Sequence, residues 1–213
     1  MRESEIVDAV VEYYEGKLAA FGGTARGVDW KDEASQIKRF EQLTRGLGLS
    51  QGGAPFSLID FGCGYGALLP FLVRHGFAFT YTGYDPSRQM IAEARRIHAD
   101  VRGVTFTSEW AAVAPADYAV ASGVFNVRLG MDDHAWRAYV LLTLERLSRC
   151  AALGWAVNFL TSYSDDDRKR PDLYYPDPLD IFDWCKRSIS RWVWLLHDYE
   201  LYEFTIGVTH SPR

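Results

Sequence analysis

Residues 60–66 of this chain read DFGCGYG and follow a short apolar run at residues 57–59. A helical run, residues 67–74, begins directly after them, so the pattern is typical of a strand that ends in a glycine-rich turn and enters a helix. In such a turn, backbone N–H groups and the helix N-terminus face a ligand, and glycine permits unusual φ angles and a close approach. Asp60 adds a carboxylate at the strand end, which would repel a pyrophosphate. The stretch therefore predicts a site for a cationic or hydroxyl-rich ligand.

Two kinds of cofactor fit the glycine spacing. The dinucleotide fingerprint G-x-G-x-x-G/A is satisfied by Gly62, Gly64 and Ala67. Alternatively, the acid-x-G-x-G-x-G pattern, which begins at Asp60 and ends at Gly66, resembles motif I of the class I S-adenosylmethionine (SAM)-dependent methyltransferases. A tight turn without any ligand would also use glycines. The surrounding sequence is therefore needed to distinguish a dinucleotide site, a SAM site and a turn that binds nothing.

Composition sets broad limits. The chain has 213 residues, of which 48% are hydrophobic and 24% charged, and this indicates one globular domain of ordinary size. A formal net charge of −5 argues against a broad nucleic-acid surface. The three cysteines contain no C-x-x-C pair, so we expect reduced thiols and no metal site. The polar N-terminus and the absence of a membrane-length apolar run predict a soluble, cytoplasmic protein.

The chain is organised as two N-terminal helices followed by alternating strands and helices. We expect helices near 4–19 and 32–46, and we divide the chain into a helical cap and linker, 1–53, and a cofactor-binding domain, 54–213. Beyond residue 56, strands are predicted near 57–61, 79–84, 103–107, 117–122 and 152–159, and helices near 66–75, 87–98, 132–149 and 178–190. Two aromatic-rich runs, 191–197 and 201–208, form a final hairpin. The pattern indicates an α/β protein with seven strands, mostly parallel, and an antiparallel terminal β-hairpin.

This arrangement is similar to the Rossmann-like fold of the class I SAM-dependent methyltransferase family, from about residue 56 to residue 208. The resemblance implies that SAM is the cofactor and that the glycines of the turn, Gly62, Gly64 and Gly66, border it. Motif II would be residues 81–85, where Asp85 accepts hydrogen bonds from both ribose hydroxyls. Pro86 would then open the next helix beside the nucleoside.

The resemblance also implies two further cofactor contacts. Motif III would be residues 108–110, with Glu109 accepting from the adenine amino group and Trp110 covering the ring. Motif IV would be residues 117–126, whose strand ends beneath the methionine portion of SAM and brings Ser122 and Phe125 to the cofactor.

Three features favour SAM over a nicotinamide dinucleotide. The third glycine is at position 66, an acid precedes the first glycine by two positions, and the predicted fifth strand is soon followed by the terminal hairpin. The chain therefore leaves no room for the separate substrate domain of a dehydrogenase.

The N-terminal segment supplies two more candidate cofactor residues. Trp30 is expected to close over the cofactor as part of the two-helix cap. Arg39 and Gln36 are three residues apart on a predicted helix and share a face. Arg39 would bind the SAM carboxylate or an acidic substrate in a bidentate manner, or it would form a surface salt bridge.

Candidate catalytic residues follow from the rule that ligands of α/β sheets bind at the carboxyl ends of the strands. The rule selects Asn126 after the fourth strand, Tyr163 after the fifth and His197 after the sixth. Tyr175 lies in the long segment 164–178, which has the length of a lid or substrate-binding loop. Each has a structural alternative: Asn126 could cap a turn, His197 could be a polar edge residue, and Tyr175 could pin its loop.

The resemblance implies a methyltransferase that acts on an oxygen or nitrogen atom of a small molecule. A second hypothesis has SAM cyclised to azetidine-2-carboxylate with release of methylthioadenosine, and a third is a non-catalytic SAM-binding protein. RNA methylation is opposed by the acidic balance. Neither a nucleic acid nor a membrane is expected as a partner, and the sequence leaves the oligomeric state open.

Overall fold

A computed structural model describes residues 2–211 of the chain. The strands are β1 (Phe56–Phe61), β2 (Phe79–Tyr84), β3 (Val104–Thr107), β4 (Ala116–Ala121), β5 (Ala151–Leu160), β6 (Trp192–Leu196) and β7 (Glu203–Thr209). The α-helices are α1 (Glu3–Phe21), α2 (Glu33–Leu47), α3 (Leu68–Arg74), α4 (Arg88–Ile97), α5 (Asp133–Cys150) and α6 (Pro178–Ser188).

All seven strands belong to one sheet with the order β3-β2-β1-β4-β5-β7-β6. The pairs from β3 to β5 are parallel, while β7 runs antiparallel to both β5 and β6. The predicted α/β architecture with an antiparallel terminal hairpin is confirmed. The strand order reverses between β1 and β4, and ligands of such sheets bind in the crevice at that point.

Helices cover both faces of the sheet because its strands are apolar on both sides. On one face, α2, α3 and α4 bury Leu43, Leu69 and Ile91 in one core cluster, which includes residues of β1, β2 and β5. On the other face, α5 and α6 bury Trp136 and Ile181 against β4, β5 and β7. The two cores fix the sheet, so the carboxyl ends of its strands form a rigid edge.

The two N-terminal helices occupy different positions. Helix α2 packs on the sheet, where it contacts β5, β6 and β7. Its N-terminus is capped by Asp32, whose carboxylate accepts a hydrogen bond from the backbone N–H of Ser35 at 2.8 Å. Helix α1, by contrast, buries only Ile6 in the core. Its neighbouring apolar face is directed at the carboxyl edge of the sheet.

A short 3₁₀ helix, Ala25–Val28, connects α1 and α2 and was not predicted. Thr24 caps it, and Asp29 ends it in a left-handed conformation with φ near 60°. Four residues are too few to produce a periodic pattern, so the sequence indicated only the glycine break before them. The 3₁₀ helix is important for the site because it positions Trp30 at the carboxyl ends of the strands.

None of the helices within residues 2–211 combines the length and the apolar character needed to cross a membrane.

Candidate functional site

The glycine turn after β1 is held against the end of β2. The N–H groups of Gly62 and Cys63 both donate to the carbonyl of Tyr84, at 2.7 and 2.9 Å. Gly62 has a φ of 73°, and a Cβ at this position would lie 2.4 Å from Cγ2 of Val124. Only glycine can therefore occupy this position without displacing the segment after β4.

Asp85, at the end of β2, locks the same turn from the other side. Its carboxylate accepts hydrogen bonds from the N–H groups of Gly64 and Ser87, each at 2.9 Å. Burial raises the pKa of Asp85 to about 6, although both hydrogen bonds oppose that shift. The acid predicted to face a ribose thus also organises the glycine turn.

Asp60 lies on the floor of the site. Its side chain is buried, and the phenol of Tyr81 donates to it at 2.5 Å. Burial raises the pKa of Asp60 to about 7, and the nearby Asp85 adds to the effect. Neither carboxylate forms a salt bridge with any residue between 2 and 211, so together they give the site a negative character.

A cavity with about 1080 Å³ of empty space, including its mouth, lies above these groups. The floor is the glycine turn with Asp60, one side is the β2–α4 junction with Asp85 and Pro86, and another is the segment after β4 with Ser122. Helix α1 forms the roof.

The roof presents Val7, Val10, Val11 and Tyr14 to the cavity. Burial, together with nearby acids, raises the pKa of Tyr14, so its phenol stays protonated at neutral pH. A ligand in the cavity would complete the packing of this apolar face.

Polar contacts fasten both halves of α1. Near its start, Glu3 pairs with Arg146 of α5 at 2.8 Å. Farther along, Glu15 accepts hydrogen bonds from Ser87 and Gln89 of the α4 segment, each at 2.7 Å. Helix α1 therefore bridges the two sides of the sheet across the site.

A third fastening joins α1 to two loops through Asp29. The carboxylate of Asp29 accepts from Tyr13 at 2.7 Å and from Lys17 at 2.6 Å. Arg170, in the long segment before α6, lies 3.7 Å from the same carboxylate and pairs with Asp172. The segment 164–178 is thus tied to the cap.

Trp30 forms a wall of the cavity beside β4. Its indole occupies the space where a Cβ at Gly123 would lie, at 2.1 Å, and Gly123 has a φ of 72°. The guanidinium of Arg39 lies over the Trp30 ring, 3.8 Å from its centroid. Arg39 itself makes a bidentate ion pair with Glu203 at the start of β7, and both side chains are buried.

A buried hydrogen-bond chain leads away from the cavity under β5. Ser122 donates to Oδ1 of Asn158 at 3.1 Å, and the amide of Asn158 donates to Thr205 at 2.7 Å. The phenol of Tyr199 shares the Thr205 hydroxyl at 2.9 Å. The chain fixes the rotamer of Ser122 at the cavity wall.

The structure brings most of the predicted cofactor residues together. The cavity lining contains Asp60, Gly62, Gly64, Asp85, Pro86, Ser122 and Trp30. Gly66 does not line the cavity. It sits in the turn at φ 81°, where a Cβ would meet the ring of His98 at 2.9 Å.

Besides Gly66, four predicted cofactor residues lie outside the cavity lining, namely Arg39, Glu109, Trp110 and Phe125. Phe125 is fully buried and stacks on Phe159 in the core, with ring centroids 5.3 Å apart. Arg39 is committed to Glu203, which matches the salt-bridge interpretation except that the pair is buried and not on the surface. In both cases the sequence indicated the right segment, but the side chain points into the protein.

Glu109 and Trp110 follow β3 and are separated from the cavity by aromatic residues. Trp110 packs edge-on against Phe61 and Tyr84, with centroid distances of 5.3 and 5.0 Å, and those two rings line the cavity. Glu109 is exposed. Their predicted adenine contacts stay a prediction.

The four candidate catalytic residues do not line this cavity. Tyr163 is 63% exposed and packs against His197, which is also exposed. The phenol of Tyr175 accepts a hydrogen bond from the N–H of Arg170, 3.0 Å away, and borders a separate cavity. The backbone carbonyl of Asn126 accepts from Tyr174, which ties down the segment 164–178.

The sequence did not single out several residues that do line the cavity. Tyr14 and Val10 belong to the apolar face of α1. Helical periodicity predicted that face but did not indicate that it lines a cavity. Arg146 and Tyr139, on α5, reach the cavity only through the fold. Tyr65 lies inside the glycine motif, where its side chain donates to Gln36 at 3.1 Å.

The residues of the cavity fit SAM. A ribose is matched by the Asp85 carboxylate, and a sulfonium is matched by two carboxylates without basic partners and by aromatic walls such as Trp30 and Tyr14. The glycine cradle lets a nucleoside approach the backbone closely. A pyrophosphate would instead be repelled by Asp60 and Asp85.

Comparisons with known proteins agree with this geometry. A family model described as a methyltransferase domain matches residues 34–198. The Mycobacterium tuberculosis protein called Putative methyltransferase Rv1506c is 49% identical over 154 residues, which cover 72% of this chain and 93% of that protein.

Solved structures share the fold at low sequence identity. The DhpI-SAM-HEP complex is 16% identical, covers 95% of this chain and 96% of its own, and has a TM-score of 0.66. Magnesium protoporphyrin IX methyltransferase from Synechocystis PCC 6803 with bound SAH is 14% identical and has a TM-score of 0.62. The alignment covers 99% of this chain and 100% of that one. These similarities place the sheet and its helices in the class I methyltransferase fold.

Proposed function

Because this chain belongs to the methyltransferase-domain family and is an SAM-dependent methyltransferase, we propose that it methylates an oxygen or nitrogen atom of a small molecule. The observation that carries the proposal is the roofed cavity. Helix α1 and Trp30 enclose the space above Asp60 and Asp85, and such a space suits a compact acceptor better than a polymer.

SAM, when bound, supplies a methyl group on a positively charged sulfur. The acceptor's lone pair forms the new bond to the methyl carbon, and the electrons of the carbon–sulfur bond return to sulfur. The protein's task is alignment, since the donor is already activated. Asp85 would hold the ribose, while Trp30 and the glycine turn would restrict how the sulfur end moves.

Proton transfer is needed only for an acceptor that arrives protonated. Several hydroxyl groups line the cavity, including those of Ser122 and Tyr14, but burial raises the pKa of Tyr14, so its phenol stays protonated and does not act as a base. Tyr163, Tyr175, Asn126 and His197 stay candidates only if the acceptor extends beyond the cavity. The enclosed site and the net charge of −5 support an acceptor that is not a nucleic acid.

We place the protein in the cytoplasm, where Cys63, Cys150 and Cys185 would stay reduced. All three are free in the structure, and burial raises the pKa of each thiol, which makes them poor nucleophiles.

Product analysis tests the proposed reaction. The protein is incubated with methyl-deuterated SAM, first alone and then with a panel of phenols, carboxylates and amines. We expect S-adenosylhomocysteine (SAH) and a deuterated product only when an acceptor is present. Methylthioadenosine formed from SAM alone would support the cyclisation hypothesis and overturn the proposal.

A further inference from the structure

A second groove adjoins the cofactor cavity on its α2–α3 side. It runs between the segment 23–33 and helix α3 and has about 1150 Å³ of empty space. Its floor is apolar and is formed by Ile37 and Phe40 of α2 and by Pro70 and Phe71 of α3. We call it the α2–α3 groove.

The groove and the cofactor cavity share one wall. Gln36, Phe40, Tyr65 and Ala67 line both spaces. The phenol of Tyr65 donates to Oε1 of Gln36 at 3.1 Å, and burial raises the pKa of that phenol. The Tyr65–Gln36 hydrogen bond is the polar contact within this shared wall, which we call the partition.

The rim of the groove carries three basic side chains, Arg26, Lys31 and Arg74. All three are exposed, and none takes part in a salt bridge with any residue from 2 to 211. Two acids also border the groove. The carboxylate of Asp32 is engaged in capping α2, and Glu33 is exposed. Basic groups thus outnumber acidic ones here, in a chain whose net charge is −5.

We propose that the α2–α3 groove binds the methyl acceptor and that the acceptor is an organic carboxylate with an apolar body. Its carboxylate would lie at the basic rim, its body on the apolar floor, and its nucleophilic end at the Tyr65–Gln36 partition. The inference rests on the proposed function, because it names the substrate class of that reaction. Arg26 lies over the ring of Phe21, 4.2 Å from its centroid, so Lys31 and Arg74 are the cations expected to pair with the carboxylate.

A binding experiment tests the site without requiring turnover. The probe is 8-anilinonaphthalene-1-sulfonate (ANS), which combines an apolar body with one anionic group. ANS is titrated into the wild type, into Lys31→Glu/Arg74→Glu, and into the control Arg102→Glu, which changes an exposed arginine outside the groove. SAH affinity is measured by calorimetry for all three proteins.

We expect the double charge reversal to weaken ANS binding about tenfold and the control to change it less than about twofold. SAH affinity should be unchanged in every variant, and saturating SAH should not displace ANS. Equal ANS affinity in the wild type and the double variant, or displacement of ANS by SAH, would overturn the inference. Failure of the wild type to bind SAH would instead contradict the proposed function.

An acceptor panel tests the assignment of the groove to the substrate. Hydroxy- and amino-carboxylates are compared with their methyl esters. The free acids should show KM values about tenfold lower than the esters, and Lys31→Glu/Arg74→Glu should remove that difference without changing SAH affinity. Equal KM values for the esters and the free acids would contradict the assignment of the groove to the acceptor.

Discussion

Two carboxylates without basic partners, the buried Asp60 and the half-buried Asp85, define the site at the scale of single residues. Burial raises the pKa values of both Asp60 and Asp85. Hydrogen bonds partly offset the free-energy cost of burying the two charges: Tyr81 donates to Asp60, and two backbone N–H groups donate to Asp85. Such groups are expected where a cationic, hydroxyl-bearing ligand binds. Their role is therefore best tested by changing the charge of each one.

Asp85→Ala should weaken SAH binding about 10- to 100-fold, because two charge-assisted hydrogen bonds to the ribose would be lost. Isothermal titration calorimetry gives the affinity. Asp100→Ala, which changes an exposed acid, is the matched control and should bind SAH like the wild type. Unchanged affinity in Asp85→Ala would mean that the ribose lies elsewhere.

Asp60→Asn should stabilise the unliganded protein at both pH values, and more strongly near pH 8 than near pH 5.5. The pKa of Asp60 is about 7 in the folded protein and near 3.8 when unfolded, so the wild type carries the buried charge only at the higher pH. The gain in the free energy of unfolding should be roughly 2 kcal/mol larger near pH 8 than near pH 5.5, because the folded carboxyl loses its proton between these two pH values.

Urea denaturation of Asp60→Asn and the wild type at both pH values measures this difference. The exposed Asp100→Asn serves as the control and should shift neither value. A gain that is equal at both pH values would show that Asp60 does not titrate in this range.

At the scale of elements, the two N-terminal helices behave differently, although the sequence predicts a joint cap. Helix α1 roofs the cavity, whereas α2 packs on the sheet and contacts β7 through Arg39 and Glu203. The apolar spacing of each helix was visible in the sequence. What each helix packs against was not, because the partner of Arg39 lies 164 positions away.

Helix α1 should be the element whose dynamics respond most to the cofactor. Its face toward the cavity is apolar, and only Ile6 is anchored in the core, so we expect fast amide exchange without ligand. SAH should slow exchange across Glu3–Phe21 and leave α6 unchanged, as measured by hydrogen–deuterium exchange mass spectrometry. Equal protection with and without SAH would contradict the role of α1 as a roof.

The Arg39–Glu203 pair should be costly to break but replaceable. Arg39→Met alone leaves a buried carboxylate unpaired and should lower the free energy of unfolding by about 3–5 kcal/mol. The double variant Arg39→Met/Glu203→Gln removes both charges and should recover most of that loss. Thermal and urea unfolding of the single and double variants measures the coupling. No recovery in the double variant would show that Arg39 contributes mainly through its contact with Trp30.

At the scale of the whole molecule, the site is assembled from segments far apart in the chain. The glycine turn and Asp85 could be predicted because strand ends and turn glycines leave local patterns, and the parallel sheet then brings them together. The orientations of Phe125 and Arg39 could not be read from the sequence, since they depend on rings and ion partners from other elements. The adenine contact of Trp110 stays a prediction. Tyr14 follows the helical spacing of α1, but nothing in that spacing assigns it to a cavity, and Arg146 on α5 gave no local signal, because only the fold brings the two helices to the same cavity.

A crystal structure of the protein with SAH tests the central claim most directly. We expect the ligand beneath α1, with both ribose hydroxyls within hydrogen-bonding distance of Asp85 and the sulfur end near Trp30 and the glycine turn. SAH bound outside the cavity, or a ribose that does not contact Asp85, would contradict the account.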